Sequence, residues 1–209
     1  EQVVLTERFK DFGLPEWSWE HIAKSWRRSD PYVFGRFDLR YDGKRPPVLL
    51  EYNADTPTTL LEAAILQWHW KTDVFPDDDQ WNSLHERLVE RWGEIRPRLT
   101  GEETHFTWSS ADMTGEDNVT LAYMQECAAE AGLHTVALAI EQLGYDSDLD
   151  RFVDLEEAPI SSVFKLYPWE WMLTEEYGRA IAGSETRFIE PIWKAVLSNK
   201  GALPYLWQI

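Results

Sequence analysis

Hydrophobic and polar positions along this chain switch between a three-to-four-residue spacing and a two-residue spacing, and each switch marks an element. "SWEHIAKSWRRS" predicts a short helix with Ser18 as N-cap. "YVFGRFDLRYD" and "PPVLLEYNA" alternate as strands, and the turn-forming "GKR" between them predicts an antiparallel β-hairpin. "PTTLLEAAILQWHW" is apolar on nearly every side, which predicts a buried helix. In "DQWNSLHERLVERWGEIRPRL", Trp81, Leu84, Leu88, Trp92 and Ile95 recur at three- and four-residue steps and predict an amphipathic helix. There follow "THFTWSS", a helix from about Asn118 to Ala131 closed by Gly132, "HTVALAI", "SSVFKLY", a helix through "WEWMLTEEYGRAI", and "TRFIEPIW". Alternating strands and helices predict the α/β class, with a largely parallel sheet, flanking helices and the separate hairpin. No repeat, low-complexity tract or linker divides residues 1–209.

Composition narrows the function classes. The 209 residues are 44% hydrophobic and include 12 Trp, enough to bury a sizeable core. A formal charge of −17 repels phosphate backbones and anionic lipid, so neither nucleic acid nor a membrane is the expected partner. Cys127 is the single cysteine, which rules out an internal disulfide and suits a reducing compartment; among its helix neighbours Met124 and Ala128 it reads as a small buried apolar residue. The N-terminus carries no signal pattern and no window approaches eighteen consecutive apolar residues, so the expected location is cytoplasmic. The five histidines are dispersed without metal-ligand spacing, His69 and His85 included. Neither a G-x-x-x-x-G-K-[ST] loop nor a G-x-G-x-x-G turn is present. Lys165 and Lys200 could each meet an anion, with a structural role as the plainer reading.

The hairpin carries the candidate chemistry. A loop from Gly43 to Pro46 pairs Asp38 with Glu51 and Arg36 with Asn53, placing four polar side chains on one face. Two carboxylates opposed at ~5 Å repel. Arg36 can balance one of them, whereas a divalent cation would balance both. Magnesium takes oxygens from one or two carboxylates, keeps several waters and completes its shell with substrate phosphate. The plainer alternative, a solvated strand face, stands beside this one. Immediately downstream, "ADTPTTLLE" predicts a helix with Thr56 as N-cap and Pro57 as first residue, or a capping box of Thr59 and Glu62 one turn later. Its free amides would then lie beside the cation site and could receive an anion.

"RFDLRYDG", "LLEYNADTPTTLLEAA", "YMQECAAEAG", "FKLYPWEWML" and "EPIWKAVLSNKGALPYLW", in order from about Leu14 to Gln208, resemble the glutathionylspermidine synthase family, amide ligases with an ATP-grasp fold. The resemblance implies a pre-ATP-grasp-like region of an ATP-dependent ligase that joins a glutathione-like carboxylate to a polyamine through an acyl phosphate. It further implies that Asp38, Glu51 and Asn53 hold Mg2+ on ATP and that Arg36 stabilises the transferring phosphoryl group. Thr56 and Thr58 would contact the peptide-like carboxylate substrate, where bifunctional members carry serines and a cysteine. Glu116 and Asp117 would receive the amine, with Asp at the second place instead of the family's Glu. Twelve acids against the single base Arg151 between Ala111 and Ile160 agree with a cationic acceptor, although Asp146, Asp148 and Asp150 read as an ordinary acidic loop.

The family extends upstream of "LTERF" and well downstream of "LPYLW", where its ATP-gripping lysines lie. This chain starts without Met and ends on "LPYLWQI", as if a helix were cut. It is therefore expected to be a fragment that is inactive alone. A degenerate family member that only binds small molecules is the alternative expectation for the parent.

Overall fold

The computed structural model describes residues 1–207. Strands β1 (Arg36–Arg40) and β2 (Val48–Asn53) form the expected antiparallel hairpin. Arg36 pairs with Asn53, Phe37 with Tyr52 and Asp38 with Glu51, after which the register shifts so that Leu39 faces Leu49 and Leu50 is the bulged residue. The bulge lies beyond the four polar residues and leaves their shared face intact.

Strands β3 (Glu103–Trp108), β4 (His134–Ala139), β7 (Ser162–Leu166) and β8 (Arg187–Ile189) build a wholly parallel sheet in the order β4-β3-β7-β8. Between β4 and β7 the chain makes a small hairpin, β5 (Gly144–Asp146) and β6 (Arg151–Val153), that the hydrophobic pattern did not reveal. Its turn is the acidic loop, in which Asp146 Oδ1 accepts the amides of Asp148 (2.9 Å) and Leu149 (3.1 Å).

Both faces of the parallel sheet are covered, which is why β7 is buried at all five positions. On one face Phe106, Phe164, Leu166 and Ile189 meet Leu88, Trp92 and Ile95 of helix Leu84–Ile95 and Leu121, Met124 and Cys127 of helix Glu116–Glu130. On the other, Val163 and Phe188 pack with Phe9, Ile22, Phe152 and Trp169. Each fully buried large side chain is worth about 1.5–3 kcal/mol. Gly132, at φ +85°, follows helix Glu116–Glu130 as its sequence position predicts. Cys127 is buried, and burial pushes its thiol up to about 11.

Three expectations are corrected. The segment after the hairpin is helical from Leu60 but is not buried: a π-helical stretch (Glu62–Leu66) runs into helix Gln67–Val74, Leu60 and Ala64 are buried, Leu61 and Ile65 pack partly against the core, and Leu66, Trp68, Trp70 and Val74 are exposed. Trp81 precedes the amphipathic helix and is fully exposed, so the stripe begins at Leu84. "WEWMLTEEYGRAI" breaks into Trp169–Met172 and Ala180–Gly183, with Thr174 turning its hydroxyl back to the Trp171 carbonyl (2.9 Å) between them. Helix Ala202–Trp207 occupies the expected helical segment "LPYLW"; the expectation for Gln208 and Ile209 lies outside the described residues. Among the described residues no helix is long and apolar enough to cross a membrane.

Candidate functional site

Two buried ion pairs hold the hairpin to the sheet. At its entry, Glu190 accepts the amides of Val33 (2.9 Å) and Phe34 (3.0 Å) and pairs with Lys194, which also donates to the Phe34 carbonyl. At its exit, Asp55 pairs with Lys165 and accepts the Trp169 amide at 2.7 Å. Burial pushes the Glu190 carboxyl up and the Lys165 ammonium down, each opposed by its partner. Sequence reasoning passed over Asp55, Glu190 and Lys194. The available signal was Lys165 inside the strand "SVFKL", since a lysine in a doubly covered strand requires an acid.

On the hairpin itself, Arg36 lies in a fork on Asp38, Nε to Oδ1 at 2.9 Å and Nη2 to Oδ2 at 3.4 Å. With the Asn53 amide oriented to suit its neighbours, its oxygen accepts from Arg36 Nη2 at 2.9 Å and its nitrogen donates to Glu51 Oε1 at 3.3 Å. Lys200 Nζ stands 3.5 Å from Glu51 Oε2. Asp38, Glu51, Asn53 and Arg36 are thus brought together, and Lys200 joins them through the Glu51 carboxylate. Each carboxylate has its own cation, so the repulsion expected between them is answered within the chain by Arg36 and Lys200. The two carboxylates still offer the oxygens that a hard divalent cation takes, and the Asn53 oxygen, which here faces Arg36, would join them on turning its amide. Among the described residues no group of three or more His, Cys, Asp or Glu gathers, so waters and substrate oxygens would complete such a shell.

The expected helix start moves. Thr56 is not an N-cap and Pro57 is not helical; the helical segment opens at Leu60, after Thr59 at φ +68°. Asp55 ties the chain to the sheet, and Arg36 Nη1 donates to the Thr58 carbonyl at 3.2 Å, which keeps residues 54–59 out of the helix. The Thr59 hydroxyl accepts from Arg36 Nη1 at 3.3 Å and donates to the Thr58 carbonyl at 2.6 Å, making no capping box with Glu62. Thr58 and Thr59 therefore touch the Arg36 group directly, while Thr56 is half-buried nearby in sequence.

Glu116 and Asp117 open helix Glu116–Glu130, following the carboxyl end of β3, with Glu116 exposed and Asp117 half-buried. Burial, then Asp112 and Glu116, push the Asp117 carboxyl up. Among the described residues no hydrogen bond or ion pair links this acidic group to the hairpin. His85 bonds Tyr123 Oη (3.1 Å) and Glu130 (3.2 Å), a structural role.

A family model described as "Glutathionylspermidine synthase preATP-grasp" matches residues 1–209. The chain is 41% identical over 201 residues to a putative acid–amine ligase of Haemophilus influenzae, covering 95% of this chain and 51% of that protein. It is 25% identical to trypanothione synthetase of Crithidia fasciculata (97% of this chain, 34% of that one). To the bifunctional glutathionylspermidine synthetase/amidase of Escherichia coli it is 26% identical (95% and 35%). The chain thus spans between about a third and a half of the length of these curated relatives. Its fold is similar to that of a glutathione synthetase-like effector of Globodera pallida in the apo form, with a TM-score of 0.54, 12% identity, and coverage of 94% of this chain and 52% of that one. With the match running through the strands and the hairpin alike, the chain belongs to the glutathionylspermidine synthase pre-ATP-grasp family.

Proposed function

We propose that the protein containing this chain is an ATP-dependent acid–amine ligase, and that the hairpin face supplies part of its phosphoryl-transfer site. One observation carries this reading: Arg36 is held in a fixed plane by Asp38 and Asn53, with Glu51 beside them. A guanidinium fixed in this way is prepared to meet phosphoryl oxygens as their charge grows in the transition state, without reorganising. Mg2+, when held by Asp38, Glu51 and Asn53, would neutralise phosphate oxygens of ATP. The carboxylate substrate, activated as an acyl phosphate, would lie along Thr56 and Thr58, next to Arg36. Glu116 and Asp117 would receive the amine, and the grouping of Asp112, Glu116 and Asp117 at the start of helix Glu116–Glu130 supports this, because an ammonium relieves the crowding of three acids. By this reading residues 1–209 alone hydrolyse no ATP, and the enzyme works in the cytoplasm.

The test is ADP release by the full-length protein given ATP, Mg2+, a panel of peptide-like acids and a panel of amines. Arg36→Ala is expected to lower kcat about 100-fold or more with a smaller change in KM. A full-length protein that turns over nothing across the panel would leave the second reading, a non-catalytic binding protein. That reading has its own support in the neutralisation of both hairpin carboxylates by Arg36 and Lys200 without any metal.

A further inference from the structure

A cavity of about 880 Å3 opens at the amino ends of β7 and β8, the end of the parallel sheet opposite the hairpin's two buried anchors. The chain carries a charge of −17, yet on this cavity wall the bases Lys24, Arg28, Arg151 and Arg187 outnumber the acids Glu20, Asp30 and Glu185. Arg28 and Arg187 share one carboxylate, Asp30, at 2.8 Å and 3.9 Å. Arg98 crowds them from behind, donating to the Arg28 carbonyl at 3.4 Å. The other two acids of the wall pair with bases of the same wall, Glu20 with Lys24 (2.9 Å) and Glu185 with Arg151 (3.0 Å), which leaves Arg28 and Arg187 with one carboxylate between them.

Two polar groups on this wall have no partner: the hydroxyl of Ser25, a residue only 1% exposed, and Nε of Arg187. Leaving a buried donor unsatisfied costs about 1–3 kcal/mol, so such groups take a partner, an ordered water or a ligand. Burial depresses the Arg187 guanidinium, Asp30 opposes this, and Arg98 and Arg28 add to the depression, so positive charge is in local excess. An oxyanion would answer both deficits. It offers negative charge to two guanidiniums and, with a small shift of the wall that opens them to the cavity, acceptors to Arg187 Nε and the Ser25 hydroxyl, which lie just beneath its surface. The cavity volume is in the range that holds small metabolites.

We propose that this cleft is a second binding site, separate from the hairpin, for the carboxylate or phosphate group of a small metabolite, held by Arg28, Arg187 and Ser25. Asp30 positions the two guanidiniums and competes with the ligand for them.

The test titrates the full-length protein carrying Arg36→Gln, which removes anion binding at the hairpin, with inorganic phosphate in one arm and succinate in the other. Calorimetry gives affinity, and the His21 imidazole resonance, on the cavity wall, gives location. Saturable binding that moves His21, weakens about 10-fold in Arg187→Gln and tightens in Asp30→Asn is expected. Arg87→Gln, on the exposed surface, should leave it unchanged. The tighter arm assigns phosphate or carboxylate. No saturation in either arm by tens of millimolar overturns the site, as does binding that neither Arg187→Gln nor Asp30→Asn alters. Should Arg187→Gln fail to fold, Ser25→Ala and Asp30→Asn, with opposite expected signs, decide the question.

Discussion

Lys165, at the centre of the parallel sheet, ends on Asp55, two residues beyond the strand that carries Glu51 and Asn53. Both are buried, so the pair fixes where the hairpin leaves the sheet. Lys165→Met would strand a buried carboxylate and is expected to cost about 3–5 kcal/mol. The double change Asp55→Asn/Lys165→Met should recover more than half of that. Urea unfolding followed by tryptophan fluorescence measures both, and equal losses in single and double variants would argue against the pairing.

Gly35 gives the chain room to enter β1. A Cβ there would lie 2.6 Å from Tyr52 Oη, and the Tyr52 ring is held against Phe37 with centroids 4.3 Å apart. Gly35→Ala is expected to destabilise by about 1–3 kcal/mol through overpacking. Adding Tyr52→Leu should return part of the loss. Thermal unfolding of the two variants checks this, and a neutral Gly35→Ala would show that the ring moves freely.

The hairpin loop has its own acid dependence. Asp42 accepts the amides of Arg45 (2.8 Å) and Lys44 (2.9 Å), and these bonds hold its carboxyl below its ordinary 3.8. A lowered folded value means that this stabilisation is present above pH ~4 and is lost as pH falls through the folded value. The Lys44 and Arg45 amide resonances should therefore titrate with a midpoint below 3.8. A midpoint at or above it would mean that the loop bonds do not persist in solution.

Lys200 competes with any cation for Glu51. Lys200→Gln in the full-length protein is expected to tighten Mg2+ binding about two- to five-fold, the modest size appropriate to an exposed ion pair. Glu51→Gln should weaken it much more. If calorimetry finds Mg2+ affinity indifferent to Glu51, the hairpin is not the metal site and Arg36 would have to act without it.

The sequence by itself determined what depends on period and local pairing. Strand alternation and the turn fixed the Asp38–Glu51 and Arg36–Asn53 pairs, because side chains on paired strands alternate faces. The spacing of Leu88, Trp92 and Ile95 fixed the face of their helix in the same way. Tertiary structure decided what depends on partners distant in the chain. Asp55 and Lys165 are 110 residues apart, and Lys200 comes to Glu51 from near the C-terminus. The Asp55–Lys165 pair, with Arg36 on the Thr58 carbonyl, holds residues 54–59 out of the helix, so it starts at Leu60 despite the capping signal at Thr56 and Pro57. Trp68 and Trp70 are exposed for a related reason: apolar composition states that a segment can be buried, but only the placement of the layers decides whether there is a surface to bury it against.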